Sequence, residues 1–280
     1  MLRICFRWRI LLFVLCAAMP VLAAPGGPDV AQPSLDQGYR QMYNLDFAAA
    51  HQTFHAYQQA RPEDAFGFVS DAAAYLFSEF DRLHILESDL FTDDRKFEDR
   101  KRPAPDPAIK TAFVNALSTA DQLATRALAA NAQDTNAMLA QVMADGLRGD
   151  YAALIEKRNL AGLSYMKSGR TLAQKLLSIK PDCYDAYLAI GVENYLLGVS
   201  PAPLRWVLRM TGSQTDKDEG LKRLQMTAEK GHYLAPFARL LLAVAALRDK
   251  DSQTARTILA SLATEFPHNP LYAKELARIP

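Results

Sequence analysis

His51 and His55 stand four residues apart in His51-Gln52-Thr53-Phe54-His55. On a helix this puts two imidazoles on one face, at the spacing of metal ligands. The catalytic form of that spacing carries Glu directly after the first His. Gln52 stands there instead, and no third ligand is identifiable, so the pair is expected to lie on a surface or line a groove. His84 and Glu87, with Glu79, Asp81 and Asp89 nearby, are dense enough in ionisable groups for acid–base work or for a cation. A hydrated helix face explains them more simply. Cys183 follows Pro181-Asp182 with no His near it in sequence, which reads as a structural thiol rather than a nucleophile. Gly162 and Gly169 are isolated, so there is no phosphate loop. Ser164 and Ser168 belong to no Gly-x-Ser-x-Gly elbow and fall on a long amphipathic helix predicted from Tyr151 to Ile179. His232 and His268 sit beside turn residues (Gly231; Asn269-Pro270), where capping is the expected role. No catalytic residue, metal or cofactor is assigned, and an enzyme centred on His84 remains the minor alternative.

The 280 residues are 50% hydrophobic and 22% charged, with a net charge of +1. That composition excludes a disordered tail and a multi-span membrane protein, and the balanced charge argues against nucleic-acid binding. Arg3, Arg7 and Arg9 precede the apolar run Ile10–Ala18, and Val21-Leu22-Ala23 offers small residues to a signal peptidase. Residues 1–23 are therefore read as a signal peptide cleaved after Ala23, and the protein as exported, periplasmic or secreted. The apolar stretch is too short to span a bilayer, and Leu15 before Cys16 does not suit a lipobox. Cleavage leaves 29 of the 32 basic residues against 31 acids, net −2. It also leaves Cys183 as the one cysteine, so packing without an internal disulfide must hold the fold.

Residues 24–34 form a Pro/Gly-rich linker, and from 35 to 280 apolar residues recur at helical spacing with no short alternating β-branched runs. The chain is expected to be all-α. Gly38, Ala50, Phe54 and Pro62 are separated by 12, 4 and 8 residues, with Asn44-Leu45-Asp46-Phe47 placed for a turn between two helices. Phe68, Ala72 and Tyr75 follow Pro62; Tyr187 and Ile190-Gly191 follow Pro181; Ala255, Leu259 and Pro267 repeat the 4 and 8 spacings. Small residues let paired helices approach while large ones fill the opposite holes, and Pro stops the second helix.

With these spacings the chain resembles the tetratricopeptide-repeat (TPR) family over residues 35–280, with degenerate slots such as Gln41 and Ala132. The resemblance implies a right-handed superhelix, an α-solenoid of about five helix hairpins, here with two insertions. The first is the charged, Pro-ended insert 92–106, entered from a helix predicted to run on to about Phe91; Asp106-Pro107 then starts the next helix. The second is an inserted amphipathic helix within 200–215, with Leu204, Trp206, Val207 and Leu208 between Arg205 and Arg209; a helix resumes from Asp216. The stretch from Tyr195 to Leu241 is also similar to a subgroup of TPR proteins with outer-membrane or lipid-droplet associations in eukaryotes. By family logic the groove-facing residues are Tyr39, Met42 and Tyr43; Phe66, Val69, Leu76 and Phe77; and Asp185, Leu188, Val192, Tyr195 and Leu196. The cation set that clamps a peptide carboxylate in some TPR proteins is absent from these slots. The resemblance thus implies a non-catalytic scaffold that binds a peptide or protein partner in an apolar, aromatic groove, with the Trp206 helix as lid; the other reading of the same residues is that the charged insert, the amphipathic helix or a tighter superhelical closure buries them. The alternative use of that helix is peripheral contact with a membrane.

Overall fold

The computed structural model describes residues 34–85, 103–200, 210 and 212–279. The signal segment, the linker up to Pro33, most of the charged insert, and Leu204, Trp206, Val207 and Leu208 lie outside the described residues. Among those described there are eleven α-helices and no strand. They are α1 (Leu35–Tyr43), α2 (Phe47–Ala60), α3 (Ala65–Arg82), α4 (Pro107–Ala130), α5 (Thr135–Asp150), α6 (Asn159–Ile179), α7 (Tyr187–Gly198), α8 (Lys217–Lys230), α9 (Ala235–Arg248), α10 (Ser252–Glu265) and α11 (Pro270–Arg278). None of them is long and apolar enough to cross a membrane.

The helix ends are set locally. Ser34, Asp46, Asp64, Asp106, Asp134, Asp216, Asp251 and Asn269 each accept backbone N–H bonds at the start of a helix, satisfying donors that the first turn leaves without partners. Two kinds of turn then recur. Arg61–Asp64, Asn131–Asp134, Lys180–Cys183 and Phe266–Asn269 share one bonding pattern. The first residue donates to the carbonyl four before it, and the fourth residue donates back to the first. Pro62, Pro181 and Pro267 occupy the second place, where no N–H is needed, and Ala132 fills it in the remaining turn. The other kind carries a left-handed residue. Leu45, His84, Lys157 and Lys250, with φ of 62°, 56°, 56° and 63°, follow α1, α3, the α5 extension and α9.

Every helix packs on the next in sequence, and α1 on α3 and α3 on α5 also touch. Several approaches between elements are too close for a side chain. A Cβ on Gly38 would lie 2.2 Å from Cε1 of Phe54, and one on Gly220 would lie 2.4 Å from the backbone N of Tyr195.

Two predicted helices end differently. The helix expected to run to about Phe91 stops at Arg82, where Leu83 caps it and His84 turns left-handed. Glu79, at 1% exposure, holds the chain there: it accepts from Arg82 Nε (2.8 Å) and Nη2 (2.7 Å) and from the Asp106 N–H (3.0 Å). The helix expected over Tyr151–Ile179 is interrupted. A π-helical turn spans Tyr151–Ile155, Lys157 is left-handed, and α6 begins at Asn159. Glu156 anchors that break, accepting from Lys110 Nζ (2.6 Å) and Arg158 Nη1 (3.1 Å).

The chain's later elements return to its first. Tyr233 stacks on Tyr39 (centroids 4.7 Å apart) and packs on Phe66 (5.2 Å), Phe237 on Phe77 (5.5 Å), and Phe266 on Tyr43 (5.5 Å). Polar bonds fix the same join. Tyr43 Oη donates to the Tyr233 carbonyl (2.9 Å), Asn269 Nδ2 to the Tyr43 carbonyl (2.9 Å), and the His268 N–H to Asn44 Oδ1 (3.1 Å).

Candidate functional site

That return decides the fate of the predicted groove. Of its twelve residues, Tyr39, Met42, Tyr43, Phe66, Val69, Leu76, Phe77, Asp185 and Tyr195 are buried, Leu188 and Val192 are half-buried, and Leu196 is 44% exposed. The residues from α1 and α3 hold Tyr233, Phe237 and Phe266 of the same chain. Between Met42, Tyr43 and Phe77 on one side and Phe237, Leu240 and Tyr272 on the other, only about 20 Å³ is left, room for about one water. Apolar and aromatic residues at repeat spacing are there because a helical face must be covered, and this face is covered in cis.

Asp185 serves the same join. Its buried carboxylate accepts the backbone N–H groups of His232 (2.9 Å), Tyr233 (3.1 Å) and Leu234 (3.1 Å), the donors that precede α9. Burial raises its pKa, and the three N–H bonds oppose the rise. His232 stacks on Tyr233 (4.2 Å) and its Nε2 lies 2.6 Å from Asp36 Oδ1.

The histidine pair on α2 meets a carboxylate. His51 Nδ1 is 2.6 Å from Asp71 Oδ1 and His55 Nε2 is 3.1 Å from Asp71 Oδ2, with Tyr75 against the His51 ring at 4.0 Å. Asp71, buried on α3, thus ties α2 to α3. Among the described residues no group of three or more His, Cys, Asp or Glu is arranged to hold a metal ion. Of the acidic group around His84, Glu79 is bonded to Arg82 and Asp106 as above and burial raises the Asp81 pKa, while Glu87 and Asp89 lie outside the described residues. Cys183 is half-buried, and burial raises its thiol pKa.

The roomiest of three open concavities described lies elsewhere, between α6, α7 and α8. It holds about 670 Å³ and is lined by Gln174, Leu177 and Ser178 of α6, Tyr187, Ile190 and Asn194 of α7, Ser213–Asp216, and Glu219 and Arg223 of α8. On α7 the lining residues fall at i, i+3 and i+7, one helical face. Leu188, Val192 and Tyr195 form a different face and pack with Leu221, Leu224, Leu241 and Leu242. The predicted α7 positions are therefore out of phase with the cleft.

A buried polar network shapes the rim. Glu193 (1% exposed) and Arg170 (9%) face each other with Oε2 and Nε 2.6 Å apart. Arg170 Nη2 donates to the Gly212 carbonyl (3.3 Å), and Glu193 Oε1 accepts the Gln214 N–H (3.2 Å). Asn194 Nδ2 donates to Gln214 Oε1 (2.8 Å), and its Oδ1 accepts the Asp216 N–H (3.3 Å). Burial raises the Glu193 pKa and the Arg170 guanidinium opposes the rise. The segment 212–216 is thus fastened to α6 and α7 by four hydrogen bonds.

Compared with family models, curated proteins and solved structures, the chain matches none.

Proposed function

We propose that this chain is an exported, non-catalytic scaffold of TPR type that binds a protein or peptide partner. In this reading the solenoid is made of five hairpins, α1–α2, α3–α4, α5–α6, α7–α8 and α9–α10, with inserts at 92–106 and 200–215. The recurrence of the two turns supports it: one bonding pattern closes four hairpins, and a left-handed residue follows the first helix of four. Sequential hairpins joined this way present a side on which a partner can lie.

The observation that carries the binding role is the cleft along α7. Its volume falls in the range of about 300–1,000 Å³ usual for ligand pockets, and it combines an apolar floor with converging amides and hydroxyls. The groove on α1 and α3 is filled by the chain itself, so the partner engages the fourth hairpin, where Leu196 is also exposed. The reading as an exported protein rests on Arg3, Arg7, Arg9 and the apolar run to Ala23.

A photoactivatable residue placed at Ser213, and in a separate variant at Val114, an exposed position on α4, tests this. Irradiation in the native envelope should give one dominant protein adduct at position 213 and none at 114. Equal labelling at both positions, or none at 213, removes the reading.

A further inference from the structure

We infer that the outward face of α6 lies against an anionic lipid surface. The inference is independent of the cleft and of the scaffold reading. Lys157, Arg158, Leu160, Lys167 and Lys175 carry it.

The sequence sets the charge. From Lys157 to Lys175 there are five basic residues and no Asp or Glu. Helical phase then sorts them. Gly162, Gly169, Ala173 and Leu176 are buried and fix the inward side of α6. Leu160, Ser164, Lys167, Thr171 and Lys175 recur at i, i+4, i+7, i+11 and i+15 and are all exposed, so they form the outward stripe. Arg170 is off this stripe and meets Glu193. Lys157 and Arg158, both exposed, stand just before the helix.

The acids near α6 do not cancel the stripe. Glu156 is outnumbered by the two cations that donate to it, Lys110 and Arg158. Asp145 packs on the inward side against Gly169, with Arg148 Nη1 3.9 Å from its carboxylate. Asp216 and Glu219 border the cleft, which α6 meets through Gln174, Leu177 and Ser178 in its last two turns. From Asn159 to Lys175 the helix therefore shows a cationic flank about 25 Å long, at about 1.5 Å per residue.

Leu160 decides what kind of surface this flank meets. At 84% exposure it is the most exposed large apolar side chain among the described residues, and Met210 follows at 70%. Ser213 lines the cleft beside Gln174, and a Cβ on Gly212 would lie 3.7 Å from Lys167 Nζ. The chain thus runs back along α6 from the cleft toward the start of the helix, with Met210 two residues further on. Lysines around isolated apolar side chains suit a bilayer surface: the ammonium groups meet headgroup phosphates while leucine and methionine reach the acyl boundary. A helix flank is convex, so its counterpart must be flat or hollow along the same length, and a bilayer is flat and carries phosphate throughout. An acidic protein would match the charge alone. The core of a protein interface is apolar and poor in Lys and Ser, whereas this stripe reads Leu, Ser, Lys, Thr, Lys.

Photo-crosslinking on vesicles tests this. The purified full chain carries a photoactivatable residue at position 160 or, as a control, at position 222, exposed on α8. The vesicles are phosphatidylcholine alone or phosphatidylcholine with about one-third phosphatidylglycerol. Lipid adducts should form at 160 on the anionic vesicles, at least about tenfold above those at 222 and those on phosphatidylcholine alone. They should fall about tenfold in about 0.5 M salt. Lys167→Glu with Lys175→Glu should cut the adduct at 160 about tenfold. Lys222→Glu with Lys230→Glu makes the same change in net charge and should leave it unchanged. All four lysines are exposed, so neither pair should shift Tm. Attachment through the apolar run at the start of the chain would label 160 and 222 alike. Equal labelling of those positions, equal labelling on phosphatidylcholine, no lipid adduct at 160, or equal effects of the two charge reversals overturns the inference. So does a protein adduct at 160 in the native envelope without a lipid adduct, which would place a protein partner there. The crosslink at 213 judges the scaffold reading separately.

Discussion

Tyr233 lies flat on Tyr39, with ring centroids 4.7 Å apart and 27° between planes, joining the turn before α9 to the first helix. Phe66 closes in on the same ring at 5.2 Å, and burial pushes the Tyr233 hydroxyl pKa up to about 12. Tyr233→Ala removes a half-buried aromatic from between α1 and α3, with an expected loss of about 2–4 kcal/mol in urea unfolding. In a double-mutant cycle with Tyr39→Ala the coupling should be about 1 kcal/mol, the increment of a stacked pair beyond its area. A coupling near zero would show that the two rings are neighbours without interaction.

Asp185 holds the turn that leads into α9, a helix with no side-chain cap of its own. The acceptor comes from 47 residues before His232 and takes three N–H groups at once. Asp185→Asn turns part of that acceptor into a donor facing donors, at an expected cost of about 2 kcal/mol. The distinguishing readout is amide hydrogen exchange. Protection should fall at His232, Tyr233 and Leu234 before it falls in α2. Uniform loss across the chain would mean that Asp185 is merely core.

The close helix approaches give a contrast among glycines. Gly38→Ala drives a methyl into the Phe54 ring, which has some freedom to tilt, and should cost about 2 kcal/mol. Gly220→Ala meets the backbone of Tyr195 and should cost more, because a backbone cannot rotate away. Gly146, exposed on α5, has nothing within 4 Å of an added Cβ, so Gly146→Ala should stabilise by about 0.5–1 kcal/mol through helix propensity. Melting temperatures should fall from Gly146→Ala through Gly38→Ala to Gly220→Ala, and a Gly220→Ala protein as stable as wild type would contradict the packing described.

The helix starts were legible because their causes are local. Asp106 before Pro107 and Asp216 before α8 cap the next few residues, and Gly198 ends α7. That α1 and α3 could be covered was one of two readings of their aromatic residues; which residues cover them was not legible. Tyr233 sits in Gly231-His232-Tyr233-Leu234, a turn without periodicity, and its partners Tyr39 and Phe66 are far away in sequence. Aromatic residues at groove spacing look alike whether a partner or the chain's own later helices cover them. The phase of α7 escaped for a related reason. Its apolar residues lie nearly all round, so which face meets Leu221 and Leu241 and which borders the cleft is decided by α8 and α9, not by α7. The break after α5 depends on Lys110 reaching Glu156 from another helix.

Asp150 makes stability depend on pH in an unusual direction. It is the last residue of α5, where the helix widens into the π-helical turn, and burial pushes its carboxyl up to about 7. A folded-state pKa above the unfolded one means that the native protein binds the proton more tightly. The contribution is therefore full below about pH 4 and fades as pH rises through about 7. Its size is at most about 4 kcal/mol, and smaller in proportion to the water that reaches the half-buried carboxyl. Asp150→Asn keeps the shape and removes the charge. The variant should gain stability over wild type at about pH 8 and match it at about pH 4.5, as read from urea midpoints across that range. Parallel pH profiles for the two proteins would place the Asp150 carboxylate in water and end the argument.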